Sequence, residues 1–441
     1  MSKFSYKSMS MKLSEASEVL DDRIDEFRQL IQDHHKLEDS AFGNPNIPSP
    51  NEIIAVGRIA SDTSEGKLNA ASVILESSRR SGSGRRVALQ LDDLASYNFF
   101  PGQIVALRGT NASGEYFKVA EVLDIPLLLA PATKPDDLDA YNARLLDTPD
   151  SDPSNVRPLT VLIASGPYTT DLDLDFSPLH ALVDQAITSK ADSLLLFGPF
   201  LDAEHPKIRT GDFDIPPHVS NPDTATLTDL FKHHISSSLQ SLSSRLPTCT
   251  VILVPSLRDA HHHHASFPQD KFVKRELGLP KTVQCVTNPM MLSMNEWIVG
   301  MSSVDVLDMV RREGCVGGAA KGGNMYERAA RGVLEQRTFL PVWPPTGREK
   351  LPSVAGVEEK IFNKKPNGEG IKKDEDGDVE MEESGEIDEG PSPYLPLGTM
   401  VDTSYLKLGE ILNVRPDVLI TPSVLQPCVK VCSPQLAPFL L

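Results

Sequence analysis

The run Leu194-Leu195-Leu196-Phe197-Gly198 constrains this chain most. Its apolar residues do not alternate with polar ones, and the glycine lets the backbone turn outward. A strand of this kind is buried on both faces, so it belongs inside a sheet covered from either side. The pattern recurs. Residues 159–164, 250–254, 297–301 and 418–421 read as apolar strands, and 178–189, 227–242, 304–312 and 326–336 as amphipathic helices. Strands alternating with helices predict an α/β layer structure from residue 159 onward.

The chain before residue 159 follows other rules. Between residues 11 and 37, Leu13, Ala16, Leu20, Ile24, Phe27 and Ile31 fall on one helical face. Such a face either packs on its own domain or docks a partner; packing is the expectation. Asn44-Pro45-Asn46-Ile47-Pro48-Ser49-Pro50 breaks any helix, making 1–50 an amphipathic helix with a linker. Residues 51–131 hold five candidate strands, 53–60, 71–76, 86–91, 103–109 and 116–123, separated by turns such as Ser81-Gly82-Ser83-Gly84 and Pro101-Gly102. Five short strands in that length suit a small closed barrel of the OB type. Residues 132–158, rich in Pro and Asp, read as a second linker. Residues 159–441 form the last domain. Within it, 350–393 has only scattered apolar residues among many charges and is expected to be a disordered acidic insertion.

Much of the net charge of -18 sits in that insertion. An acidic total argues against broad, nonspecific binding to a phosphate backbone as the main activity. One basic cluster, Arg79, Arg80, Arg85 and Arg86, flanks the Ser/Gly loop. It reads either as a nucleic-acid contact on the barrel or, as expected here, a solvated hairpin tip. Cys249, Cys285, Cys315, Cys428 and Cys432 form no C-x-x-C pair and no zinc-ligand spacing, so reduced thiols in the cytosol or nucleus are expected. No apolar run approaches the roughly 18 residues of a membrane span, and no membrane partner is expected. A dense Lys/Arg import signal is also missing.

Ligands of α/β sheets sit at the carboxyl ends of the strands. Those ends read Ser165-Gly166-Pro167-Tyr168, Gly198-Pro199-Phe200-Leu201-Asp202, Pro255-Ser256-Leu257-Arg258-Asp259 and Thr421-Pro422-Ser423. A metal-dependent phosphoesterase carries Gly-Asp-x-x-Asp, Gly-Asn-His-Asp/Glu and Gly-His-x-His turns, which supply the about four to six oxygen and nitrogen ligands of a binuclear centre. Here Pro199 takes the bridging aspartate's place. Leu257 and Arg258 stand where an amide and an imidazole belong, and Pro422 and Ser423 replace the last histidines. Gly166 and Pro167 offer no ligand, so only Asp202 and Asp259 keep carboxylates. No catalytic residue, metal ligand or cofactor is assigned. His261-His262-His263-His264 is a rival metal signal, but consecutive histidines do not converge on one ion with outer-shell support, and a solvated loop is expected. Ser165 and Ser256 lack a nucleophile elbow. The Gly-rich run 317–323 lacks a Gly-Lys-Ser/Thr ending and reads as a flexible loop. Ser392, followed by Pro393 and preceded by acids, reads as a proline-directed phosphorylation site.

Taken together, Gly166-Pro167-Tyr168-Thr169-Thr170, the turns at Pro199–Asp202 and Ser256–Asp259, and Pro416-Asp417-Val418-Leu419-Ile420-Thr421-Pro422-Ser423 resemble the B-subunit family of DNA polymerase α–primase. Gly66-Lys67-Leu68-Asn69, Phe100-Pro101-Gly102-Gln103 and Gln336-Arg337-Thr338-Phe339-Leu340-Pro341 are similar to other segments of it. The resemblance covers roughly 50–345 and 394–431. It implies an OB barrel docked on a calcineurin-like phosphoesterase domain that has lost its metals. It also implies a non-catalytic nuclear protein. Members of the family bind the zinc-bearing C-terminal domain of the polymerase α catalytic subunit and reach the primase subunits through the complex. Contact with DNA would be weak or indirect. Two departures are expected to matter. The family's small helical N-terminal domain does not precede the helix at 11–37. After Val431 the family's further strands give way to residues 432–441, which are expected to supply no regular ladder and to leave an aberrant C-terminus. Two other readings compete: an active metallophosphoesterase acting on nucleotides, and a single-strand-binding barrel. The barrel segment's near-neutral charge speaks against the latter.

Overall fold

The computed structural model describes residues 11–63, 67–146, 159–217, 219, 224–318, 324–345, 400–431 and 438–440. The expectations for the insertion 350–393, for Ser392 and for 432–437 lie outside the described residues.

Helix α1 (Leu13–His35) lies along a barrel. Ile24, Phe27 and Ile31 are buried against Ile54, Val56, Ile104, Ala106 and Leu123. The apolar face therefore packs on the chain's own domain from Ile24 onward, while Leu13 near its start is 90% exposed. Removing one methylene from this seam with Ile31→Val is expected to cost about 1 kcal/mol. Urea unfolding followed by circular dichroism reads it, and an unchanged midpoint would contradict the packing.

Strands β1 (Ser49–Ser61), β2 (Val73–Glu76), β3 (Arg86–Gln90), β5 (Ile104–Asn111) and β6 (Tyr116–Leu123) close the barrel in the order β1-β2-β3-β6-β5. Only the β3–β6 pair is parallel, and Ile59, Leu75, Leu107 and Phe117 fill the interior. All five strands stand where the hydrophobic pattern predicts them. The β2–β3 tip differs from expectation in its local structure. It forms a short helix, α2 (Arg79–Gly82), whose arginines meet acids on α1. Arg79 Nε lies 2.6 Å from Asp21 Oδ2, Arg80 Nη1 lies 3.5 Å from Asp25 Oδ2, and Ser78 Oγ donates to Asp25 at 2.7 Å. Arg86 pairs with Glu76 at 3.2 Å. The tip is thus ion-paired to the helix, while Arg79, Arg80, Arg85 and Arg86 all stay exposed, as expected of a solvated tip. β4 (Ser96–Phe99) leaves the barrel altogether. The linker expected over 132–158 contains a helix, α3 (Pro135–Leu146). Proline at its first position and Asp136 and Asp137 in its first turn are helix-start chemistry, which a linker-like composition conceals.

The α/β region is built on two sheets. Strands β7 (Val161–Ser165), β8 (Ser193–Phe197), β9 (Thr250–Val254) and β10 (Val283–Cys285) form a parallel sheet in the order β10-β9-β8-β7. The second sheet contains β11 (Met290–Met294) and β12 (Trp297–Met301), then β14 (Val418–Ile420), β15 (Val429–Val431) and β16 (Pro438–Leu440), in the order β11-β12-β14-β16-β15. Leu195, Phe197, Ile252 and Val254 of the first sheet pack on Val299, Met301, Val418 and Ile420 of the second. Leu194, Leu196, Val251 and Leu253 face the other way, toward α4 (Ser177–Ser189), α6 (Leu227–Phe231) and α7 (Ser237–Arg245). That explains the unbroken apolar run at 194–197: both faces are covered. A one-turn helix, α5 (Pro206–Thr210), follows β8. Helices α8 (Val306–Glu313) and α9 (Met325–Glu335) cover the second sheet, giving a helix–sheet–sheet–helix stack. One expectation about the C-terminus is overturned. Residues 438–440 do supply a ladder, pairing parallel with β14 and antiparallel with β15. Three backbone residues with proline first suffice for a short strand.

Barrel and stack are joined by chain segments that pair at long range. β4 pairs antiparallel with β13 (Cys315–Gly318), so residues 317–318 of the expected flexible loop are strand. Phe100 is fully buried in the core formed by Val306, Leu307, Ala329 and Val333. The Gln336 amide accepts from Ile104 N at 2.8 Å and donates to Ile104 O at 2.9 Å, extending the barrel's backbone ladder. Trp343 N donates to Pro101 O at 2.9 Å. Arg23 of α1 donates to both the Glu410 carboxylate and the Gln336 carbonyl.

Candidate functional site

The carboxyl ends of β7, β8 and β9 meet at one edge of the parallel sheet. Gly166–Pro167 and Gly198–Pro199 are cis, and both glycines sit where no side chain fits. A Cβ on Gly198 would stand 2.9 Å from Ser256 N, and closer still to the Asp259 carboxylate. A Cβ on Gly166 would run into the Pro199 carbonyl. Tyr168, buried beneath them, donates to Phe197 O at 2.9 Å.

The two remaining carboxylates are both engaged. Asp259 Oδ1 accepts from Phe200 N at 2.5 Å and Leu201 N at 3.3 Å, and its Oδ2 accepts from Ser256 N at 2.7 Å. Burial pushes its pKa up to about 7, against the pull of these N–H bonds. Asp202 meets the Arg258 guanidinium with both oxygens, Nε to Oδ1 at 3.0 Å and Nη2 to Oδ2. Its Oδ1 also accepts from Glu204 N at 3.0 Å. Arg258 Nη2 reaches Glu204 Oε2 at 2.9 Å. The backbones of Asp202 and Asp259 form an isolated bridge, so the turns are sewn together. Pro199 presents no ligand, and Leu257 packs against the core beneath α8 and α9. At the end of β14, Ser423 Oγ accepts from Leu425 N at 3.2 Å beside Pro422. Ser256 Oγ accepts from Arg258 N at 3.3 Å. Among the described residues no group of three or more His, Cys, Asp or Glu side chains is placed to hold a metal ion.

Asp259 acts as a backbone clamp, which predicts the outcome of Asp259→Asn. One side-chain position would become an NH2 group facing an N–H donor. The variant is expected to lose about 2 kcal/mol, since a buried donor left without an acceptor costs about 1–3 kcal/mol. Denaturant unfolding beside the wild type measures this, and equal stability would remove the clamp.

The histidine run is not the solvated loop expected of it. The His261 ring lies 4.6 Å from Phe231 and stacks on Phe272 at 5.0 Å, and His262 tilts on Phe272 at 5.0 Å. His264 is buried, and His263 alone of the four is exposed. These rings line a cavity of about 170 Å³ together with Thr228, Val273 and Leu277. Burial pulls the pKa of His261 down to about 3 and that of His262 to about 4. His234, stacked on Phe176 at 4.9 Å, is likewise lowered to about 4 by burial. Composition gives no sign of this, because the aromatic wall comes from Phe231 and Phe272, outside the run itself.

Residues 17–125 match the family model for the OB domain of the DNA polymerase alpha B subunit, and residues 161–430 match that for the B subunit of DNA polymerases alpha and epsilon. The chain is 35% identical over 429 residues to the DNA polymerase alpha B subunit of Schizosaccharomyces pombe, covering 97% of this chain and 63% of that protein. It is 34% identical over 430 residues to the Saccharomyces cerevisiae protein of the same name, covering 96% and 56%. The Bos taurus protein is 32% identical over 344 residues, covering 77% and 51%. The chain thus spans between half and two thirds of the length of these relatives. With a closed OB barrel followed by a layered α/β region, each matched by its own family model, the chain belongs to the family of DNA polymerase alpha and epsilon B subunits.

Proposed function

We propose that this chain is a non-catalytic accessory subunit of the DNA polymerase alpha complex. In this reading it binds the C-terminal domain of the catalytic subunit, joins the primase subunits through that complex, and supports primer synthesis in the nucleus. Its α/β region is then a phosphoesterase-type frame whose metal-site turns have degenerated at Gly166, Pro167, Pro199, Leu257, Arg258, Pro422 and Ser423.

The observation that carries this reading is the state of the carboxylates. A binuclear centre needs free oxygen and nitrogen donors converging on the metals. Asp202 is neutralised by a guanidinium, and Asp259 spends its oxygens on three backbone donors. The residues present do not fit a metal centre. The names of the relatives support the replication role.

The test is co-expression of the full chain with the C-terminal domain of a polymerase alpha catalytic subunit, followed by affinity capture and size-exclusion chromatography. A stable stoichiometric complex is expected. The proposal fails if the two elute apart, or if purified chain hydrolyses a generic phosphodiester and loses that turnover with Asp202→Ala.

A further inference from the structure

A buried carboxylate needs a counter-charge and filled lone pairs, or it destabilises the fold. Asp202 is only 6% exposed. In a metal-bearing turn a divalent cation would meet that need, but with the Arg258 guanidinium on Asp202 and Glu204 the donor set here does not fit one. The neighbouring turn provides a different cation. Arg258 stands three residues beyond Pro255, where β9 has just ended. Its guanidinium lies across the gap between the turns and meets both Asp202 oxygens as a planar fork. Such two-point recognition is what a guanidinium offers and an ammonium does not. The same Nη2 binds Glu204 at 2.9 Å. Ala203 N donates to Arg258 O at 2.8 Å, fixing the backbone that carries the guanidinium.

We infer that Arg258 takes the place of a metal cation. Its guanidinium, anchored in the chain itself, supplies the positive charge that holds the β8 and β9 turns together. The turns therefore close without any divalent ion, and the position is barred to one. This inference rests on the non-catalytic reading above, but its test measures a different quantity from partner capture.

The test is thermal melting of the full chain as wild type, Arg258→Gln, Asp202→Asn and the double variant, each with millimolar Mn²⁺ and with EDTA. Arg258→Gln leaves Asp202 charged without its cation, and its melting temperature is expected to fall by about 5 °C. Mn²⁺ should restore part of that fall. The double variant removes both charges, so it should melt above Arg258→Gln and ignore Mn²⁺. The wild type should respond neither to Mn²⁺ nor to EDTA. If Arg258→Gln and the double variant melt alike, or if the wild type shifts with Mn²⁺ as much as Arg258→Gln does, the inference is overturned. Should Arg258→Gln be insoluble, a soluble double variant supports the charge argument, and an equally insoluble one refutes it.

Discussion

Gly102→Ala is expected to undo the junction between barrel and stack and to lower stability by about 4 kcal/mol or more, a value reserved for a few severe mechanisms. Gly102 has φ +92, a conformation that favours glycine. A Cβ there would lie 2.6 Å from Trp343 Cβ and 2.7 Å from Pro341 O, and closer still to Trp343 N. Neither side can yield. Gly102 N donates to Ile59 O at 2.8 Å within the barrel, and Trp343 N donates to Pro101 O at 2.9 Å from the stack. Displacing the loop would also draw Phe100 out of its core. Gly211→Ala is the control. Gly211 has φ +74 with nothing within 4 Å of a new Cβ, so it should cost only the backbone strain, about 1–2 kcal/mol. Melting and limited proteolysis of both variants decide the matter. Comparable losses would mean that the Trp343 contact contributes nothing beyond φ.

Acid is the second large expected effect. His234, His261 and His262 have pKa values of about 4, 3 and 4 against an ordinary 6.5. Below pH 6.5 the unfolded chain takes up protons that the folded chain refuses, so their contribution is full above pH 6.5 and is lost as the pH falls toward 4. Asp259 has the opposite sign. Raised to about 7 from 3.8, it holds a proton when folded that the unfolded chain has released, so acidification across that window favours the fold. Three imidazoles outweigh one carboxyl. After discounting the partly exposed rings, the net loss between pH 7 and pH 4 should be on the order of 3 kcal/mol. Urea titrations at pH 7, 6 and 5 read the slope, and His261→Phe, which keeps the stack on Phe272, should flatten it. A midpoint that rises on acidification would show that Asp259 dominates.

These residues also mark where the sequence is legible. Strands 116–123, 193–197 and 250–254 are readable to the residue, because a strand buried on one or both faces writes its environment into its own pattern. β4 and β13 are not, since each is four residues long and finds its partner more than two hundred positions away. The histidine run escapes a sequence reading for a related reason: nothing in His261–His264 announces Phe231 and Phe272. At the strand ends, Pro199, Leu257 and Arg258 are visible as residue types that offer a metal no ligand. That Arg258 turns back onto Asp202 is not, because spacing along a chain does not fix which way a turn folds.

The contact from Arg23 to the Gln336 carbonyl has a consequence for how the protein comes into being. The two residues are 313 positions apart. At the roughly 5–20 residues per second of translation, the helix leaves the ribosome about 15–60 s before its anchor does. During that interval α1 can settle on the barrel through Ile24, Phe27 and Ile31, but Phe100, the free edge of β4 and the end of β5 have no partner. A nascent barrel in this state exposes an apolar ring and an unpaired edge, the features that make a folding intermediate prone to aggregate. The window closes only once residues beyond 315 emerge. The most exposed moment in this protein's life is therefore its own synthesis, and substitutions at the junction should reduce yield in the cell more than they reduce the stability of molecules that have already folded.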